Sequence, residues 1–329
     1  MHWLEYHWYR LTPLHMLLLP VSLLFSLLVS LRRVLYRLGI LTRIKLPVPV
    51  VIVGNISVGG TGKTPLTLAL AEQLLLHGMT PLIVSRGYGG SARQPLQVTI
   101  DCNASLVGDE PLLMARRLLC PVWIGKDRAA AATAALQIHP ECNVLLCDDG
   151  LQHYRLQRDV EIAVIDGVRG MGNGWMLPAG PLREPVARLE TVDAVVVNGG
   201  QAEAAQFSMQ LQGEVFYNLL EPEKIVAAGY FKGLNTHAVA GIGRPERYFQ
   251  QLQALEISFI AHAFADHHPY RATDFAFSFD ALLLTEKDAV KCSTYADARF
   301  WVLRVDAQID PALAELILRK ITPDGCKTA

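Results

Sequence analysis

The run Ser57-Val58-Gly59-Gly60-Thr61-Gly62-Lys63-Thr64 constrains this chain more than any other, because it follows an apolar, strand-like stretch at residues 48–53 and opens a Leu/Ala-rich helix. Strand, glycine-rich turn and helix in that order make a phosphate-binding P-loop. The glycines let the backbone curl so that its N–H groups point into one hollow, and the helix adds its positive N-terminal end. Lys63 then reaches the β- and γ-phosphates of a nucleotide, and Thr64 ligates Mg²⁺. The usual pattern has glycine where Ser57 stands, five positions before Gly62.

A second motif supports the first. Residues 144–150 form a short apolar run ending in Asp148-Asp149-Gly150, the way a buried parallel strand delivers acids to the C-terminal edge of a sheet. There they can hold Mg²⁺ or its waters. Between and after these motifs, strand-like runs at residues 81–84, 122–124, 162–165 and 194–197 alternate with helical stretches at 65–77, 112–119 and 127–138. The alternation predicts a doubly wound α/β fold with a mostly parallel sheet.

Beyond Gly199-Gly200 a polar, less regular stretch at residues 201–217 precedes a second, smaller α/β unit, with strands expected at 257–260, 281–284 and 300–305 and helices from Pro245 and over 311–321. The expected division is therefore 1–35 (a membrane-associated helix), 36–215 (the P-loop unit) and 216–329 (the smaller unit). Gly241-Ile242-Gly243 lacks the third glycine of a dinucleotide fingerprint and is read as a structural turn.

Composition narrows the partners. Of 329 residues 51% are hydrophobic and 19% charged, with a formal net charge of −1, so no broad basic face for nucleic acid is implied. Residues 11–31 contain no Asp, Glu, Lys or Arg, and at ~1.5 Å per residue such a helix reaches ~30 Å, a bilayer core. Arg32, Arg33, Arg37, Arg43 and Lys45 follow it, against Glu5 and Arg10 before it, which keeps the body on the cytoplasmic side. Pro13, His15, Pro20 and three serines interrupt the stretch; a spanning helix, a helix lying in the interface and a buried helix of a soluble protein all stay open. The six cysteines include no C-x-x-C pair, as expected of reduced thiols, with Cys147 in the core.

Several blocks in order resemble the tetraacyldisaccharide 4′-kinases of lipid A synthesis over nearly the whole chain. They are Gly54-Asn55 leading into Gly59 to Pro65, Ser85-Arg86-Gly87-Tyr88, Gly108-Asp109-Glu110-Pro111, Asp148 to His153, Leu177-Pro178-Ala179-Gly180-Pro181-Leu182-Arg183-Glu184, Asp266-His267-His268, and Thr285 to Lys291. The resemblance implies an inner-membrane enzyme that uses ATP and Mg²⁺ to phosphorylate the 4′-hydroxyl of a tetraacyldisaccharide 1-phosphate, giving lipid IVA, with no obligate protein partner. By the same resemblance Asp109 is the general base, supported by His267; His268 stays open as the alternative partner. Lys63 is catalytic, Glu110 joins Thr64, Asp148 and Asp149 around Mg²⁺, and Tyr88, His153, Arg183 and Glu184 line the cleft.

Two rival readings are a partitioning-type P-loop ATPase and a non-enzymatic membrane adaptor with a relict P-loop. The ATPases carry a signature lysine directly before the paired glycines, where this chain has Val58. An adaptor is expected to lack Asp109 or the Asp148-Asp149 pair, and all three are present.

Overall fold

The computed structural model describes residues 6–10, 12–203 and 205–322; Glu5 and Cys326, used above, lie outside them. The elements are α1 (Pro13–Arg37), β1 (Val50–Gly54), α2 (Lys63–Leu76), β2 (Pro81–Ser85), β3 (Leu96–Val98), α3 (Ala104–Val107), α4 (Asp109–Arg117), β4 (Val122–Ile124), α5 (Arg128–Ile138), β5 (Val144–Asp148), β6 (Val160–Asp166) and β7 (Ala194–Asn198). They continue with β8 (Phe207–Gln212), β9 (Val215–Asn218), β10 (Ile225–Ala227), β11 (Thr236–Ala240), α6 (Pro245–Ala254), β12 (Ile260–Ala263), β13 (Ala281–Thr285), α7 (Glu286–Cys292), β14 (Phe300–Leu303), β15 (Asp306–Ile309) and α8 (Pro311–Ile321).

The large sheet runs β15-β8-β7-β6-β1-β5-β2-β4-β3. Its interior pairings are parallel, and only the edge strands β3 and β15 run antiparallel to their neighbours. Parallel strands are covered on both faces, which explains why the central ones read as unbroken apolar runs. Alternation assigns the faces: Val51, Val53, Ile83, Leu146 and Ile162 pack with Leu66, Leu70 and Leu74 of α2. Val50, Ile52, Leu82, Leu145 and Cys147 pack with Ala129, Ala132 and Ala135 of α5.

The smaller sheet, β10-β9-β14-β13-β11-β12, is parallel through β14, β13, β11 and β12. Here the structure corrects three expectations. The polar stretch 201–217 contains β8, part of the large sheet, and the start of β9. The strand expected at 257–260 begins only at Ile260, because Glu256 turns at φ +58° while Ile257 drops into the core. The smaller unit also does not keep residues 306–321: β15 pairs with β8, and Leu313, Ile317 and Ile321 of α8 join the core against α2. Gly213 and Arg304 therefore mark two crossings, and the smaller unit is inserted between β8 and β15.

Helix α1 is continuous through Pro20 and lies side-on along the large unit. The Trp8 indole N–H donates to the Pro178 carbonyl (2.9 Å), the Ser22 hydroxyl donates to the Met176 carbonyl (2.7 Å), and Tyr36 meets Tyr154 at 6.0 Å. The other face carries Leu17, Leu24, Leu27, Leu28 and Leu31, all at least half exposed. Only 11% of its most apolar stretch is buried, so it is not the core helix of a soluble protein.

Candidate active site

Strand β1 feeds a loop whose shape depends on glycine at two points. Gly59 (φ +105°) and Gly62 (φ +96°) occupy the left-handed region, where a side chain is strained. A β-carbon on Gly62 would also stand 2.5 Å from the Asn198 amide nitrogen, which donates to the Thr61 carbonyl at 3.0 Å. Asn55 reaches the Thr61 hydroxyl at 3.3 Å. Not every loop amide faces the hollow: Val58 N–H donates to the Pro181 carbonyl at 2.8 Å, and Ser57, buried, bridges to Leu182. Lys63, the first residue of α2, places its ammonium 3.5 Å from Asp149, and the half-buried Thr64 follows it in the first turn.

The two carboxylates at the end of β5 have different environments. Asp148 is buried and accepts hydrogen bonds from the hydroxyls of Thr67 (3.2 Å) and Ser85 (3.3 Å). Burial, then the charges of Glu110 and Asp149, push its carboxyl up to about 7. Asp149 turns at φ +49° into the cleft. Burial raises its carboxyl too, but Lys63, Arg183 and Arg128 together outweigh that and leave it below the usual range. Arg183 stands 3.4 Å from it; this ion pair, rather than one with Glu184, holds the arginine.

Asp109 opens α4 and accepts from Glu110 N–H at 2.9 Å through Oδ1. Its Oδ2 meets His267 Nδ1 at 2.9 Å, across the junction of the two units, with Lys291 Nζ at 3.9 Å. Burial raises this carboxyl, but the His267 hydrogen bond and the charges of Lys287, His267 and Lys291 together pull it below its ordinary value. The open choice of histidine is thereby resolved, since His268 pairs with Asp274 at 3.0 Å. His267 sits at φ +60°, fixed by its N–H to the Gly241 carbonyl (3.1 Å). Tyr88, 57% exposed, leans on its ring at 5.1 Å between centroids.

Two candidates lie elsewhere. Glu184 is wholly buried, accepting from the Tyr154 hydroxyl and from Gln152 Nε2 at 3.2 Å, with Arg188 at 3.7 Å. It is a structural carboxylate and does not line the cleft: the backbone turn that sends Arg183 outward, with both N–H groups on the Ile56 carbonyl, sends Glu184 inward. His153 lies beneath the Asp149 turn, 3.5 Å from Asp127, and burial followed by the Arg128 charge lowers it to about 4. It is a neutral imidazole supporting that turn.

The sequence reading gave no role to Lys287 and Lys291, one helical turn apart on α7. Lys287 Nζ lies 3.1 Å from Glu110, 3.4 Å from Asp266 and 3.4 Å from His267 Nε2. At the other end of the α4–α7 contact, Arg117 holds Glu286 at 2.9 and 3.1 Å and the Val305 carbonyl at 3.1 Å, and pairs with Asp306. The signal lies in the stretch Thr285 to Lys291, whose lysines at i and i+4 share one helix face.

Among the described residues no three His, Cys, Asp or Glu side chains form a closed metal cage. The donor set nevertheless suits Mg²⁺, which takes one or two carboxylates and completes its shell with water and phosphate oxygens. Thr64, Asp148, Asp149 and Glu110 are all hard oxygen donors, and Asp148, raised by two neighbouring acids, is the kind of carboxyl a divalent cation would relieve.

Comparison with known proteins identifies the family. The family model described as tetraacyldisaccharide-1-P 4′-kinase matches residues 14–322. A tetraacyldisaccharide 4′-kinase of Methylobacillus flagellatus is 50% identical over 97% of this chain and 96% of its own, and one of Azoarcus sp. is 49% identical over 96% and 94%. The crystal structure of LpxK from Aquifex aeolicus in complex with ATP superposes with a TM-score of 0.80 at 30% identity, covering 94% of this chain and all of that one. Matched by the family model over residues 14–322 and half identical to such relatives over nearly its whole length, the chain belongs to the tetraacyldisaccharide-1-phosphate 4′-kinase family.

Proposed function

We propose that this chain transfers the γ-phosphoryl group of ATP to the 4′-hydroxyl of a tetraacyldisaccharide 1-phosphate, producing lipid IVA at the cytoplasmic face of the inner membrane. The observation that carries the reading is the Asp109–His267 contact at 2.9 Å, which sets a proton acceptor beside a complete P-loop and its carboxylates. A non-enzymatic adaptor has no use for that pair.

Phosphoryl transfer needs positioning and charge neutralisation more than covalent chemistry. Lys63 and the amino end of α2 balance the charge of the group in flight. Asp109 takes the proton of the attacking hydroxyl; its lowered pKa makes it a weak base in water, so its effect rests on being held against that hydroxyl by His267, which shares the proton. Mg²⁺, when bound, neutralises charge on the phosphates, and Thr64, Glu110, Asp148 and Asp149 are the residues that would hold it. Arg183, beside Asp149, and Tyr88, against the His267 ring, are both carried by the large unit and suit contacts to substrate. Incubating the protein with ATP, Mg²⁺ and a tetraacyldisaccharide 1-phosphate should add the mass of one phosphate to the lipid; ATP hydrolysis without that gain would overturn the reading.

The geometry of α1 favours an interfacial helix over a spanning one. The body contacts Trp8 just before it, Ser22 in its middle and Tyr36 near its end, so a spanning orientation would drag polar loops into the hydrocarbon layer. Lying flat, it immerses the outward leucines and brings the cleft to an acylated substrate. Leu24→Glu with Leu28→Glu, both on the exposed face, is expected to cut vesicle partitioning about a hundredfold or more without altering the affinity for ATP. Unchanged sedimentation with vesicles would show that this face does not bind the membrane.

A further inference from the structure

The loop 167–183 has two faces, one against the N-terminal segment and one against the P-loop. On the first, Trp8 and Ser22 are tied to it through Pro178 and Met176, and Asn173 N–H donates to the Trp8 carbonyl at 2.8 Å. On the second, it takes up the Val58 N–H and pairs with Ser57. Arg169 rises from its start, where Asp166 accepts the backbone N–H groups of Val168 (3.1 Å) and Arg169 (3.2 Å).

The charge of Asp166 is already engaged by the smaller unit, through Arg247 at 3.0 Å and Arg244. The half-buried Arg169 guanidinium, by contrast, has no carboxylate within ion-pair distance among the described residues, and it stands over the Tyr9 ring at 4.8 Å. One of its nitrogens stands 3.9 Å from where a β-carbon of Gly59 would be, while the equivalent space at Gly60 is open. Arg247 stands close enough to feel the same excess of positive charge: burial and then Arg169 hold its guanidinium below the usual range. A partly desolvated cation without an acid, beside a loop that has turned one amide away, is an incomplete anion site.

We propose that Arg169 is a phosphate-binding residue: propped on Tyr9, its guanidinium closes the open side of the P-loop at Gly59-Gly60 and bonds the oxygens of a phosphate seated there. The inference rests on the kinase reading, and the phosphate belongs either to ATP or to the lipid acceptor. The forked, planar donor set of arginine suits either source, and lysine reproduces the charge without the fork.

The test uses the full chain carrying Arg169→Gln, Arg169→Lys, Tyr9→Phe or Tyr9→Ala, with Arg10→Gln as the neighbouring-charge control. Affinity for a non-hydrolysable ATP analogue is measured by calorimetry, and KM for ATP and for lipid by turnover. Loss of a charged phosphate contact is expected to raise one of these constants about tenfold or more for Arg169→Gln. Arg169→Lys should recover part of the loss, Tyr9→Phe should match the parent, and Tyr9→Ala should fall between. A raised analogue Kd assigns the nucleotide phosphate; an unchanged Kd with a raised lipid KM assigns the acceptor phosphate. If Arg169→Gln leaves all three constants at the parent values, or only kcat falls, the proposal is wrong. A parent protein that binds the analogue but never phosphorylates lipid would instead overturn the kinase reading, and the calorimetric arm would still decide the role of Arg169.

Discussion

Lys63→Ala is expected to lower turnover about a hundredfold or more while the protein unfolds at an unchanged temperature. The side chain is not part of either core; its ammonium sits at the mouth of α2 with Asp149 as its partner at 3.5 Å. Its removal therefore costs little packing and takes a positive charge from a site where water is sparse. Asp149 keeps Arg183 at 3.4 Å, so the carboxylate is not left without a counter-charge. Near-normal kinase activity in a folded Lys63→Ala protein would sink the assignment of this loop to phosphate binding.

The second large effect is expected at the junction of the two units. Asp109→Ala and His267→Asn should each reduce kcat about a hundredfold or more, and the double variant should be little worse than the poorer single one. Residues that act as one unit are strongly non-additive on removal. Asparagine is chosen at 267 because it tolerates the left-handed backbone at φ +60°, where alanine would add strain unrelated to chemistry. Multiplying losses would mean that the two residues act separately. A His267→Asn variant that raises the lipid KM at constant kcat would make His267 a substrate contact.

Much of the catalytic half was legible because its signals are local. A buried parallel strand is an apolar run, a P-loop is a fixed string, and Asp127 announces α5 by capping it, accepting from Ala129 and Ala130 N–H. What escaped depends on contacts distant in sequence. Strand β8 (Phe207–Gln212) alternates apolar and polar residues, a period-two signal obscured by the polarity of its surroundings. Strand β15 is short and half exposed, and exists because β8 offers it an edge. The inward turn of Glu184 follows from Tyr154 and Gln152, about thirty residues earlier, a distance over which spacing gives no guidance. The His267–Asp109 contact could be named only through the motif, since the two residues are 158 positions apart.

The late return of β15 to β8 has a consequence in time. As the chain leaves the ribosome, everything from the P-loop to β8 is made before residues 306–321, so β8 emerges with an unpaired edge and Leu70 and Leu74 of α2 without the cover of α8. Bringing those residues home as a free loop would mean closing the whole intervening stretch at once. A folded smaller unit shortens that closure, because its two ends lie side by side. Once formed, it holds its two ends together through Arg304 N–H on the Val215 carbonyl (3.0 Å), while Gln251 of α6 secures the entering chain at the Gly213 carbonyl (2.9 Å). It is then a splint that holds β15 beside β8, and the large sheet, begun at β1, has its last strand only after the whole smaller unit has been made.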